Sequence, residues 1–182
     1  MAWDISAVIL TPPDFDEAKQ YPTVISVHPF GSCKEQTSSA TYGKALAEAG
    51  YVVIAFDASF QGESGGEPRF VEDPTQRVED VSRVIDYAVT LPYVDAEKIA
   101  GIGVCGGGGY VLNAALTEKR IKAVVGITPV NIGRLFREGF SMYSPIGALE
   151  GMAAQRTAEA RGGERLVNEL LPASLAEAKD NG

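Results

Sequence analysis

Cys105 stands in the run Gly101-Ile-Gly-Val-Cys-Gly-Gly-Gly-Gly109, six glycines in nine residues. An apolar stretch, Ile99–Val104, precedes it, and a helical pattern reaching Thr117 follows. Gly103-Val104-Cys105-Gly106-Gly107 therefore reads G-x-C-x-G, a cysteine form of the strand-to-helix elbow G-x-S-x-G. In such a turn the flanking residues must be small, because neighbouring backbone crowds them. The nucleophile is lifted beyond the end of the sheet. The backbone N–H that follows it, here that of Gly106, points toward the reacting carbonyl, and a helix N-terminus favours a thiolate and an oxyanion.

The same glycines admit two other readings. Gly101, Gly103 and Gly106 spell G-x-G-x-x-G, the fingerprint of a dinucleotide-binding turn. That motif expects an acidic residue about 20 positions on, at the end of the next strand. Here the next apolar run ends Gly126-Ile-Thr-Pro129, without an acid, and the motif falls late in the chain rather than in a first βα unit. The blandest reading is a glycine-rich turn around an inert, buried cysteine.

Short apolar runs alternate with helical patterns in the elements that must carry these residues. Ile5–Thr11 reads as a strand stopped by Pro12-Pro13, and Thr23–His28 as a β-branched strand. A loop of small residues runs from Pro29 to Ser38. Tyr42, Ala45, Leu46 and Ala49 then fall at helical spacing before Gly50. Tyr51–Phe56 is a continuous apolar run of the kind that is buried on both faces. A glycine-rich loop, Ala58–Glu72, leads to Asp73-Pro74-Thr75-Gln76, which predicts a helix start with Asp73 as cap and Gln76 reaching back. Val78, Val81, Val84, Ile85 and Ala88 supply that helix with an apolar face, and Ile121–Thr128 is a last strand. The predicted order β-β-α-β-α-β-α-β is that of an α/β fold: a mainly parallel sheet with helices on both faces. The first two strands are expected to pair antiparallel, since no helical pattern joins them. Residues 1–130 form the expected core. Residues 131–182 form a helical C-terminal segment, broken near Gly162-Gly163 and Pro172.

Three motifs in order resemble the α/β-hydrolase superfamily, closest to its dienelactone-hydrolase-like and related peptidase-like branches. His28-Pro29-Phe30-Gly31 is similar to the H-G-x-G-type oxyanion loop. Phe56-Asp57-Ala58-Ser59-Phe60-Gln61-Gly62-Glu63-Ser64 is similar to the strand-loop segment ending in G-x-S, and the Cys105 elbow follows one helix and one strand later. The resemblance spans about Ile5 to Gly139. It implies Cys105 as nucleophile and the N–H groups of Gly106 and Phe30 as oxyanion donors. It also implies acyl transfer from a small-molecule ester, lactone, thioester or amide, with no cofactor and no metal. The segment from Arg134 and Phe136 to Arg137 and Phe140 would lead into a cap, and on its pattern alone reads equally as an exposed amphipathic helix.

Such hydrolases place an acid and then a histidine after the nucleophile. The only histidine here is His28, upstream of Cys105 and inside the oxyanion-loop motif, where it reads as loop support rather than as base. No later strand carries an acid, so the resemblance is to a truncated version of the architecture. Its competence would depend on groups outside these residues, or on slow acylation of the cysteine alone. A second expectation, from a different class, is a binding or assembly module whose open sheet edge is covered by a partner chain or a second copy.

Other candidates carry less. Cys33 and Cys105 could form a redox pair, but Cys33 reads more simply as a small loop residue. Zinc spacing is lacking around His28, Cys33 and Cys105. Asp57 could orient a loop, and with Glu63 and Asp73 could line a pocket mouth. Ser64, in G-x-S-G-G, lies in a loop rather than at an elbow.

Composition sets the outer bounds. The 182 residues carry a net charge of −8, with 45% hydrophobic and 22% charged residues, values of an ordinary globular chain of about one domain. The acidic balance argues against nucleic acid, which demands a basic footprint. Two cysteines make no disulfide framework, and the N-terminus lacks a charged region followed by an apolar core. No apolar run is long enough for a bilayer. A cytoplasmic location, with no membrane partner, is the simplest expectation.

Overall fold

The structure is a computed structural model and describes residues 2–139 and 145–167. Its centre is a five-stranded sheet: β1 (Ala7–Leu10), β2 (Tyr21–Val27), β3 (Val52–Phe56), β4 (Val94–Val104) and β5 (Ile121–Ile127). The spatial order is β1-β3-β2-β4-β5, with β2 through β5 mutually parallel. β1 is antiparallel, as expected, but its neighbour is β3 rather than β2: Ala7 lies opposite Phe56 and Leu10 opposite Val53. The reason is burial. β2 is flanked by β3 and β4, so β1 can join only at an edge of the sheet, and it does so on the outer side of β3.

Helices cover both faces. α2 (Pro74–Ala88) and α3 (Gly106–Thr117) bury Val81, Val84, Ile85, Ala88, Val111 and Ala114 against Ile25, Val27, Ile54, Phe56 and Ile99. On the other face α1 (Lys44–Glu48) packs Ala47 and Leu46 against Val24, Val53 and Ile102. Val24 and Ile25, like Val53 and Ile54, are sequence neighbours that point to opposite faces, as the two-residue period of a strand dictates. A wide helical segment, Glu35–Gly43, precedes α1 and is kinked at Gln36.

α2 starts as its sequence predicts. The Asp73 carboxylate accepts from the N–H groups of Thr75 (2.9 Å) and Gln76 (3.2 Å), with Pro74 in the first helical position. Gln76 Nε2 donates forward to Asp80 (2.9 Å), a buried carboxylate one turn on. The parallel registers bring Val27, Phe56 and Gly103 level, so the loops after β2, β3 and β4 leave the sheet at one end. Ligands of open α/β sheets bind at that end.

The chain divides into two compact units, Met1–Ile132 and Gly133–Gly182. A short helix α4 (Ile132–Arg134) starts at the last residue of the first. In the second, α5 (Pro145–Ala160) exposes Ile146, Leu149 and Met152 and ends before Gly162, whose φ is 88°. Phe140 and Pro172 lie outside the described residues. Among the described residues no helix is long and apolar enough to cross a membrane.

Candidate active site at the elbow after β4

Cys105 joins β4 to α3 with φ 53° and ψ −119°, a backbone conformation that L-residues rarely adopt. Three backbone bonds hold it there. Its N–H donates to Ile127 O (2.9 Å), and its carbonyl accepts from Gly109 (3.2 Å) and Val130 (3.0 Å). The glycines around it are demanded by backbone, not by flexibility. A Cβ on Gly103 would lie 2.2 Å from Gly107 O. One on Gly107 would lie 2.4 Å from both His28 O and Val27 O, and one on Gly109 would lie 2.1 Å from Val130 O. Backbone-to-backbone packing of β4, α3 and the loops after β2 and β5 thus accounts for Gly103, Gly107 and Gly109 without a bound nucleotide. The thiol itself is partly exposed and unbridged.

Gly106 packs against the loop after β2. The position its Cβ would take is 3.2 Å from Phe30 N and 3.3 Å from Phe30 Cβ. Glycine here leaves the Phe30 backbone against the first turn of α3. The loop is shaped by Gly31, at φ 62°, and by Ser32 N–H donating to Pro29 O (3.3 Å).

His28 is fully buried and engaged on both ring nitrogens. Nδ1 lies 2.7 Å from Pro29 O, and Nε2 accepts from Ala58 N–H (3.0 Å) with Arg77 Nη1 at 2.8 Å. These partners assign the neutral Nδ1–H tautomer. Burial, reinforced by the Arg77 guanidinium, lowers the ring to a pKa of about 3. A ring so placed supports the loop and has no nitrogen left to deprotonate a thiol.

Arg77, Lys34, Asp80 and Tyr110 are buried polar residues that the sequence did not single out. Arg77 donates to His28 O (2.6 Å), lies 3.3 Å from the Glu72 carboxylate, and stacks its guanidinium 4.9 Å from the Tyr110 ring centroid. A signal existed: residue 77 falls four before Val81 and seven before Val84, on the apolar face of α2. Burial, followed by the neighbouring Glu72 charge, pushes the Tyr110 hydroxyl up from its ordinary range.

Asp57 orients loops, as expected for an acid ending a strand. Its carboxylate accepts from Lys34 N (2.7 Å), Lys34 Nζ (2.8 Å) and Glu63 N (2.9 Å). Burial alone would raise its pKa, but these donors outweigh burial and hold it low. Lys34 also meets Glu35 (2.7 Å) and Glu63 (2.8 Å), so an ammonium sits in the three-carboxylate cluster that could otherwise suggest a metal. Asp80 accepts from Ser59 N (2.8 Å) and Ser59 Oγ (2.7 Å). Ser64 is buried, donating to Asp57 O (2.7 Å) and accepting from Ser6 N, which fits a loop pin rather than a nucleophile. Cys33 is partly exposed, and burial and Glu35 push its thiol up.

The sequence model of the X-Pro dipeptidyl-peptidase (S15) family matches residues 3–162. The chain belongs to that family. Its fold is that of the α/β-hydrolase superfamily. The S15 chain is 48% identical over 178 residues to the uncharacterized protein YcjY of Escherichia coli K12, covering 96% of this chain and 58% of YcjY. The crystal structure of a hypothetical protein, PA2218 of Pseudomonas aeruginosa, superposes with a TM-score of 0.77 at 32% identity, over 98% of this chain and 61% of that one. The α/β hydrolase GrgF of Penicillium sp. sh18 superposes with a TM-score of 0.69 at 25% identity, over 98% and 64%. The S15 chain thus spans about three-fifths of the length of each of these three proteins.

Proposed function

We propose that this chain carries the nucleophile and oxyanion site of an acyl hydrolase, with Cys105 as the nucleophile. The carrying observation is the Cys105 backbone, held at φ 53° on the N-terminus of α3 while Gly106 packs against Phe30 N. The family match and the hydrolase fold support the same reading. The substrate class is a small acyl compound: an ester, lactone, thioester or amide.

In the acylation step Cys105 Sγ attacks the carbonyl carbon of the substrate. An S–C bond forms, the C=O π pair moves onto oxygen, and the thiol proton leaves to water. The N–H groups of Gly106 and Phe30 receive the oxyanion. Collapse of the tetrahedral species expels an alkoxide or thiolate, which then takes up a proton, or an amine whose nitrogen has first taken that proton from water, and leaves an S-acyl cysteine for water to hydrolyse. Each oxyanion donor is worth about 3 kcal/mol of transition-state stabilisation. His28 takes no proton in this scheme, because both its nitrogens are committed to the loop.

A chromogenic activated ester tests the reading, since its phenolate leaves without acid assistance. Purified chain and p-nitrophenyl acetate should give a burst of p-nitrophenolate matched by an acetyl group on Cys105. Cys105→Ala should abolish the burst and Cys33→Ala should keep it. A burst that survives Cys105→Ala contradicts the assignment.

A further inference from the structure

Arg77 puts a charge where the pattern of α2 calls for an apolar residue. Burying a guanidinium costs several kcal/mol per ion before pairing, and well-packed apolar groups often replace buried ion pairs without loss of stability. Stability is therefore a weak reason for its presence. Its partners suggest a better one, because they come from three separate elements. Nη2 donates to His28 O (2.6 Å) and Nη1 meets His28 Nε2 (2.8 Å), both in the loop after β2. Nε lies 3.3 Å from Glu72, in the segment before α2. The guanidinium face lies over Tyr110, on α3.

Two of these partners lead to the proposed oxyanion donors. His28 is two residues before Phe30, and Tyr110 is one helical turn after Gly106. A planar fork with donors at fixed angles can hold a carbonyl, an imidazole and an aromatic face at once; an ammonium cannot. We propose that Arg77 is a positioning residue, clamping the His28–Phe30 loop to α3 so that the Phe30 and Gly106 N–H groups converge beside Cys105. The proposal rests on the reading of Cys105 as acyl acceptor. Arg77 touches no reacting atom, and acts through His28 and Tyr110.

The test compares two reactions of the same thiol. Acylation by p-nitrophenyl acetate builds an oxyanion, whereas alkylation by iodoacetamide does not and so reports the nucleophile alone. Arg77→Lys and Arg77→Met are made in the full chain and checked for folding by circular dichroism. The expected result is an acylation rate constant lower by about 100-fold, the size of one lost oxyanion donor. The ester concentration giving half-maximal rate should stay within threefold, and Cys105 alkylation within twofold. Methylguanidinium added to Arg77→Ala should restore part of the acylation. Wild-type acylation in the folded variants, or a parallel fall in both reactions, overturns the proposal. If the Arg77 variants do not fold, Tyr110→Leu serves: acylation about tenfold slower with unchanged alkylation supports the clamp, and unchanged acylation overturns it. A wild-type chain that alkylates at Cys105 but never acylates there overturns the acyl-hydrolase reading itself, a result distinct from any effect of Arg77.

Discussion

His28 and Lys34 show how this chain handles charge at the end of its sheet. His28 is buried neutral, with a pKa near 3 where an exposed histidine has 6.5. The folded state therefore binds fewer protons than the unfolded state between those values. The stability that goes with the neutral ring is complete above pH 6.5 and is lost as the pH falls toward 3. Because His28 is the only histidine, its ring resonances in NMR stand alone. They should not move between pH 5 and 8, and a titration centred near 6.5 would contradict the hydrogen bonds described. Lys34 is the counter-charge of buried Asp57. Lys34→Met removes one partner of a buried pair, and denaturant unfolding should show a loss of about 3–5 kcal/mol. A loss under 1 kcal/mol would mean that the backbone donors to Asp57 suffice. At this scale the sequence was legible where spacing speaks and mute where charge hides. G-x-C-x-G marks Cys105 because a turn geometry forces its neighbours to be small. Arg77 and Lys34 are invisible to a rule that places charges on the surface, since their burial depends on partners 49 and 23 positions away along the chain.

The elements were easier to read than their neighbours in space. α2 announces itself by Asp73, Pro74 and the valine face, and the structure begins it there. β3 and the core of β4 follow from their apolar runs. β1 has the direction its connection predicts but a different partner, because pairing is decided by which strand has a vacant edge, a property of the whole sheet. β4 begins at Val94, five residues before its apolar run, because Asp95, Glu97 and Lys98 hide the strand pattern there. The elbow makes the sharpest prediction at this scale. Gly107→Ala puts a Cβ 2.4 Å from two backbone carbonyls, and nothing there can rotate aside. It should cost several kcal/mol or prevent folding, as read by thermal unfolding. Gly151→Ala, in α5 with nothing within 4 Å of the new Cβ, should be neutral or stabilising by up to about 1 kcal/mol. Equal effects at the two positions would deny the crowding that gives the elbow its glycines.

For the molecule as a whole, the sheet order places the loops after β2, β3 and β4 at one end. The candidate site is the meeting of the first and third of them. Neither loop can be built from local sequence alone: Phe30 and Gly106 are 76 positions apart and meet only because β2 and β4 are parallel neighbours. The fold was legible because each strand and helix carries its own pattern. The site was legible as a set of motifs but not as a network, since the clamp through Arg77 crosses three elements. The most direct test of the central claim is tandem mass spectrometry of the chain after brief exposure to p-nitrophenyl acetate. The account predicts one acetyl group, on Cys105, appearing at the rate of the p-nitrophenolate burst. Acetyl groups spread over Cys33 and surface lysines, with Cys105 unmodified, would contradict it.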